Sequence, residues 1–294
     1  MKRPIGYKNA AEGISYVLSS TWKVQSKSPH ETATMFRLIV ASLLVVSSFG
    51  RVVRKPMLDG RIVGGDDAME GEIPWQVSLE SFGSHICGGF ILDEMNVITA
   101  AHCCDAVSSF TVVAGEHDRS ETSGNEVEID VERMVPHEDY NGFDLTADIC
   151  LLHLESALEW SEFIYPAEMP AQFQDWDDGD MMTVSGWGST SEGGSLPDIL
   201  QKVDVAVVSD ADCDDYYSSF GGIDFDAHIC AGNMPEGGAD SCQGDSGGPM
   251  FETGGGIVSG IVSWGVGCAR PEFPGVYSQL ATYMDWVEEN RQRF

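Results

Sequence analysis

Three short segments carry the residue types that nucleophilic catalysis needs. The first is Asp240-Ser241-Cys242-Gln243-Gly244-Asp245-Ser246-Gly247-Gly248-Pro249. A serine hydroxyl is a weak nucleophile. It needs a base beside it and backbone N–H groups aimed at the oxyanion that forms on attack. Glycines beside Ser246 let the chain turn so that such groups converge. A lone Gly-x-Ser would read as an exposed turn; ten residues of this composition mark a candidate nucleophile. The second segment is Ile98-Thr99-Ala100-Ala101-His102-Cys103, in which an apolar strand end places a histidine beside a cysteine that could pin it. Histidine titrates near neutrality, so it can take and return a proton. The third, Asp148-Ile149-Cys150-Leu151-Leu152, is an acid opening an apolar strand. Next to a histidine, such an acid holds the ring in one tautomer and stabilises the imidazolium. Taken singly, His102 is more often structural and Asp148 could simply end a turn. No role is assigned to His85, His117, His137, His153 or His228.

The elements that must position these residues read as short strands. Trp75-Gln76-Val77-Ser78-Leu79, Phe110-Thr111-Val112-Val113 and residues 258–264 are short, alternating and apolar, and they are broken by Gly, Pro, Asn and Asp. That pattern predicts an all-β barrel or sandwich. One helix is predicted over residues 281–292, where Tyr283, Met284, Trp286 and Val287 recur at helical spacing.

Eight cysteines without a Cys-x-x-Cys pair point to an oxidising compartment rather than a zinc ribbon. Residues 38–50 form an apolar run, too short for a transmembrane helix of about 20 residues, that suits a signal peptide. Residues 35–50 are therefore read as the signal peptide, residues 1–34 as upstream sequence included in error, and residues 51–61 as a short pro-segment. Charge changes abruptly after Arg61. Residues 1–61 hold ten Lys/Arg and three acids, whereas residues 62–294 hold six Lys/Arg and 44 acids, a net charge of −38. Such a body repels phosphates, which argues against nucleic acid as a partner and favours basic substrates. Neither a membrane partner nor an oligomer is expected.

The three segments, in the order His, Asp, Ser, closely resemble the trypsin and chymotrypsin family of serine proteases. The resemblance extends to Ile62-Val63-Gly64-Gly65, Pro74-Trp75-Gln76-Val77-Ser78-Leu79, Ser263-Trp264-Gly265 and Pro274-Gly275-Val276-Tyr277. It implies two six-stranded antiparallel β-barrels, about 62–170 and 171–280, with a C-terminal α-helix. Ser246, His102 and Asp148 would form the triad in the cleft between them, and the N–H groups of Gly244 and Ser246 the oxyanion hole. Ser263 would lie near Asp148, and the backbone of residues 263–265, including Trp264, would pair with substrate.

Further roles follow from the same register. Asp240, six residues before Ser246, falls at the base of the specificity pocket, with Gly265 and Gly275 as open walls. The resemblance thus implies cleavage after Arg or Lys in protein and peptide substrates, and sensitivity to protein inhibitors. Arg61–Ile62 would be the activation bond, and the freed Ile62 amine would pair with Asp245. The implied disulfides are Cys87–Cys103, Cys213–Cys230 and Cys242–Cys268. The remaining Cys104 and Cys150 each follow a triad residue by two positions, so a fourth bridge is expected, two buried thiols being the alternative.

No cofactor is required. Residues 116–126 resemble the calcium loop of vertebrate trypsins, with Glu116 and Glu126 as carboxylate ligands and the backbone oxygens of Asp118 and Glu121 completing a cage. Arg119 and Ser123 depart from that pattern, and a plain acidic loop is the alternative. The six basic residues of the body would give an Arg/Lys-specific enzyme few sites of self-cleavage. That suggests a secreted digestive enzyme, although solubility alone could favour the same composition. An inactive homologue acting as a binding module and a single-domain regulatory protease are the competing readings.

Overall fold

The computed structural model describes residues 63–291. The expectations for the leader, the pro-segment and the Arg61–Ile62 bond lie outside the described residues.

Two closed barrels make up the described chain. The first runs β2 (Gln76–Ser81), β3 (Ser84–Asp93), β4 (Asn96–Thr99), β7 (Cys150–Leu154), β6 (Val127–Pro136), β5 (Thr111–Ala114) and back to β2. In the second, β8 (Met181–Gly186) pairs with β9 (Gln201–Val208), and the circuit continues through β10 (His228–Gly232), β13 (Gly275–Gln279), β12 (Val258–Trp264) and β11 (Pro249–Glu252) to β8. The short β1 (Asp66–Asp67) pairs with β9. The start of the segment expected to build the first barrel is thus stitched to the second.

Alternation fills each interior. Val203, Val205 and Val207 of β9 are buried with Met182, Val184, Ile229, Met250 and Tyr277 in the second barrel. Val77, Leu79, Phe90, Val112, Leu152 and Leu154 are buried in the first. Between the barrels, Gly88 comes so near Gly248 that a Cβ on Gly88 would lie 3.0 Å from the Gly248 Cα. Ser185 Oγ donates to Gln76 Oε1 at 2.7 Å, a buried bond linking β8 to β2.

Helices are few. The C-terminal helix begins as a 3₁₀ turn over Leu280–Tyr283 and becomes α-helical over Met284–Arg291, so the predicted 281–292 helix is tighter in its first turn. Two further α-helices among the described residues are α1 (Ala101–Ala106) and α2 (Asp210–Tyr217), the latter followed by a 3₁₀ turn over Ser218–Phe220. The acidic sequence of α2 hides it from apolar periodicity; Ser209 caps it by accepting from Asp212 N at 3.2 Å. No helix of the described residues is long and apolar enough to cross a membrane.

Candidate active site

His102 sits in the first turn of α1. Ala100, at the N-cap, has no side chain to satisfy the free N–H groups of that turn. Asp148, two residues before β7, supplies the acceptor: its Oδ1 takes the His102 N–H at 2.8 Å. Its Oδ2 takes His102 Nδ1–H at 2.7 Å and Ser263 Oγ–H at 2.5 Å. The carboxylate is fully buried. With Nδ1 donating, the neutral ring keeps Nε2 as its proton acceptor.

Ser246 belongs to the second barrel but is bonded to the first, where Gly88 N donates to its carbonyl at 2.8 Å. The sulfur of Cys103 lies 3.7 Å from His102 Nε2 and 3.6 Å from the Ser246 carbonyl oxygen, so base and serine segment meet at one disulfide. Cys87, His102 and Cys103 cluster tightly enough to hold a metal, but both sulfurs are spent in the Cys87–Cys103 bridge. The other bridges are Cys104–Cys150, Cys213–Cys230 and Cys242–Cys268.

The turn before Ser246 is held from both ends. Gly244 has φ +102° and Gly247 φ +79°, which favour glycine. A Cβ on Gly247 would strike Thr99 Oγ1 at 2.1 Å. Asp245 is fully buried, and its carboxylate accepts from Gly188 N at 2.8 Å and Cys242 N at 2.9 Å. Burial pushes its pKa up to about 6, against those two bonds. Sequence reasoning missed the other anchor. His85 Nε2–H donates to the Gly244 carbonyl at 2.9 Å, and its Nδ1 accepts from Ser78 Oγ at 2.8 Å. Burial pulls His85 down to about 4, which keeps it neutral, and the Gly244 carbonyl, which can only accept, places the proton on Nε2. Its partner is 159 residues away, so no local pattern could have signalled it.

Beside Ser246 opens a cavity of about 160 Å³, lined by Asp240, Ser241, Gln243, Val262, Trp264 and Gly265 among others. Asp240 is 4% exposed. It accepts from Ser241 N at 2.8 Å and Ala269 N at 3.1 Å, with Tyr277 OH at 3.5 Å. Burial pushes it up to about 7 despite these bonds. Gly275 has no room for more: a Cβ there would lie 2.5 Å from Asp240 Oδ1. A Cβ on Gly265 would meet nothing nearer than Tyr217 OH at 3.8 Å, so that wall is open. Trp264 forms a side wall, set edge-on to Tyr217 with centroids 4.8 Å apart.

The acidic loop lies apart from this cavity. Burial, then Glu126 and Glu80, hold the half-buried Glu116 above the usual carboxylate range, and Arg119 opposes them only in part. Arg119 Nη2 instead donates to the Pro197 carbonyl. The Glu126 carboxylate accepts from Ser123 N and Gly124 N, each at 2.8 Å. The carbonyl of Asp118 accepts from Glu121 N at 3.0 Å, which leaves it a second lone pair. Neighbouring carboxylates short of positive charge are a donor set that fits a hard dication.

A histidine gripped by a buried acid, beside a serine in a glycine frame, is the arrangement of a serine hydrolase. Comparison with known proteins narrows this. The trypsin family model matches residues 62–287, and the chain belongs to the trypsin family as a serine endopeptidase acting on protein substrates. It is 46% identical over 242 residues to trypsin-1 of Astacus astacus, covering 78% of this chain and 99% of that one. Serine protease 1 of Rattus norvegicus is 38% identical, covering 85% of this chain and 98% of its own. The vitellin-degrading protease of Bombyx mori is 40% identical, covering 80% and 88% respectively.

Proposed function

We propose that this chain is the precursor of a secreted endopeptidase that cleaves after Arg or Lys, and that it serves in protein digestion. The observation that carries the specificity is Asp240, a buried carboxylate without a paired cation among the described residues, at the end of a cavity beside Ser246. A guanidinium or ammonium entering the cavity would replace the solvation that burial removed.

The Asp148–His102 contacts support acyl transfer through Ser246. Asp148 holds Nδ1–H, so His102 Nε2 takes the proton of Ser246 as Oγ attacks the scissile carbonyl carbon. The N–H groups of Gly244 and Ser246 receive the oxyanion. When the C–N bond breaks, Nε2 returns its proton to the leaving amine. Water then repeats the sequence on the acyl-serine, releasing the carboxylic acid and restoring Ser246. The backbone of residues 263–265 pairs with the substrate chain and orients it. Protein inhibitors would occupy the same cleft, and the enzyme acts as a monomer.

Activation is read from Asp245 and the residues after the expected cut. The Val63 carbonyl accepts from Asp240 N at 3.3 Å, and Gly64 is so close to Gly238 that a Cβ would lie 2.2 Å from its oxygen. Cleavage of Arg61–Ile62 would create an amine one residue from this contact, and Asp245 is its partner. Extracellular digestion accords with four disulfides and with few self-cleavage sites. Lys202 is paired with Glu72, and Arg270 with Glu192 ahead of Pro271. Calcium would bind Glu116, Glu126 and the backbone oxygens of Asp118 and Glu121, as a structural ion only. The test of specificity is the Asp240→Ser variant, which is expected to lose the preference for Arg and Lys.

A further inference from the structure

Asp240 is held from one side by its own neighbour, Ser241, and from the other by Ala269 N–H. Ala269 has φ +53°, a left-handed conformation that costs a non-glycine residue free energy and persists only where its surroundings enforce it. What enforces it brackets it in sequence. Cys268 is bridged to Cys242, and the Ala269 carbonyl accepts from Gly238 N at 2.9 Å.

A third restraint comes from a separate loop. The carboxylate of Glu192 accepts from Arg270 Nε at 2.9 Å and Nη2 at 2.5 Å, a two-pronged pair. The disulfide at Cys268 and the Glu192 pair at Arg270 therefore hold Ala269 from both sides. The fold makes room for this. A Cβ on Gly267 would lie 2.2 Å from Arg270 Nε, so only glycine there lets the guanidinium fold back toward Glu192.

We propose that Glu192 is a positioning residue for the specificity pocket: by clamping Arg270 beside the bridged Cys268 it fixes the Ala269 N–H that holds Asp240, and so sets affinity for Arg and Lys side chains. The proposal rests on Asp240 being the pocket acid. Glu192 and Arg270 are each about half exposed, so the pair is weak as a source of global stability. Its geometry matters more than its strength, because a forked carboxylate–guanidinium pair fixes orientation.

The test uses the activated enzyme and its Glu192→Ala, Arg270→Ala and Glu272→Ala variants. Glu272→Ala removes one negative charge from the same loop without touching the clamp. Benzamidine, a flat amidinium, reports on the pocket alone, and matched Arg and Lys peptides report KM and kcat. Glu192→Ala is expected to raise the benzamidine inhibition constant and both KM values about three- to tenfold, with kcat within about twofold and the unfolding midpoint unchanged. Arg270→Ala removes the same pair and should give a similar rise, and Glu272→Ala almost none. The positioning role is overturned if Glu192→Ala leaves the inhibition constant unmoved while the wild type cleaves after Arg and Lys. It is equally overturned if Glu272→Ala matches Glu192→Ala, since charge alone would then suffice. A wild type that prefers Phe or Ala would overturn the Asp240 reading together with this one.

Discussion

Asp148 holds His102 at two points, through backbone N–H at 2.8 Å and ring Nδ1–H at 2.7 Å. One carboxylate thus caps the helix that carries the base and sets the tautomer of the base itself. Asp148→Asn can still bond the ring, but its amide favours the wrong tautomer. kcat is expected to fall about 10⁴-fold, the general behaviour of this type of triad, with KM little changed. Ser263→Ala removes one bond to a buried charge and should cost about 10- to 100-fold in kcat/KM. Steady-state kinetics on one Arg peptide checks both.

Asp240, raised to about 7 by burial, should make binding of cations depend on pH. Below that value the free enzyme holds a proton there that an entering amidinium must expel. Benzamidine affinity should therefore fall about tenfold per pH unit below 7 and level off above it. A flat profile between pH 5 and 8 would contradict the assignment. For stability the sign is opposite. A raised carboxylate pKa gives a contribution that is full below pH 4 and lost as pH rises through 7. Asp240→Asn should thus raise the unfolding midpoint at pH 8 but not at pH 4.

The Cys104–Cys150 bridge ties the helix of His102 to the strand that follows Asp148, across 46 residues of sequence. Loop-closure entropy puts its contribution near 4 kcal/mol, or about 10 °C in a chain of this size. Replacing both cysteines by Ala should lower the midpoint by roughly that much, read by calorimetry. An unchanged midpoint would show that the bridge does not constrain the unfolded chain.

Calcium at millimolar concentration should raise the unfolding midpoint by several degrees through binding linkage, about 2.7 kcal/mol at a hundredfold excess over Kd. Glu126→Gln should lose most of that rise while keeping its activity. Absence of any calcium effect on the wild type would leave residues 116–126 as an acidic loop.

The triad segments were legible because each carries its chemistry locally: glycines around Ser246, small residues before His102, an acid opening the strand at Asp148. Their grouping was legible only through family resemblance, since His102 and Asp148 alone are 46 residues apart. What escaped was long-range and polar. His85 reaches Gly244, and Glu192 reaches Arg270 across 78 residues, with no periodicity to announce either. The helix around His102 escaped because it is six residues long and its first turn is satisfied by Asp148 rather than by a local cap. β1 escaped because two residues carry no alternation and their partner, β9, belongs to the other barrel.

Specificity set by Asp240 is tested most directly by kcat/KM on four peptides that differ only in the residue before the cut bond: Arg, Lys, Phe and Ala. Both the enzyme cleaved at Arg61–Ile62 and its Asp240→Ser variant are measured. The wild type is expected to favour Arg and Lys by at least about 10³-fold, as a buried charge left unpaired by the wrong substrate requires, and the variant to lose that preference. Comparable rates on all four peptides, or a variant that keeps the preference, would contradict it.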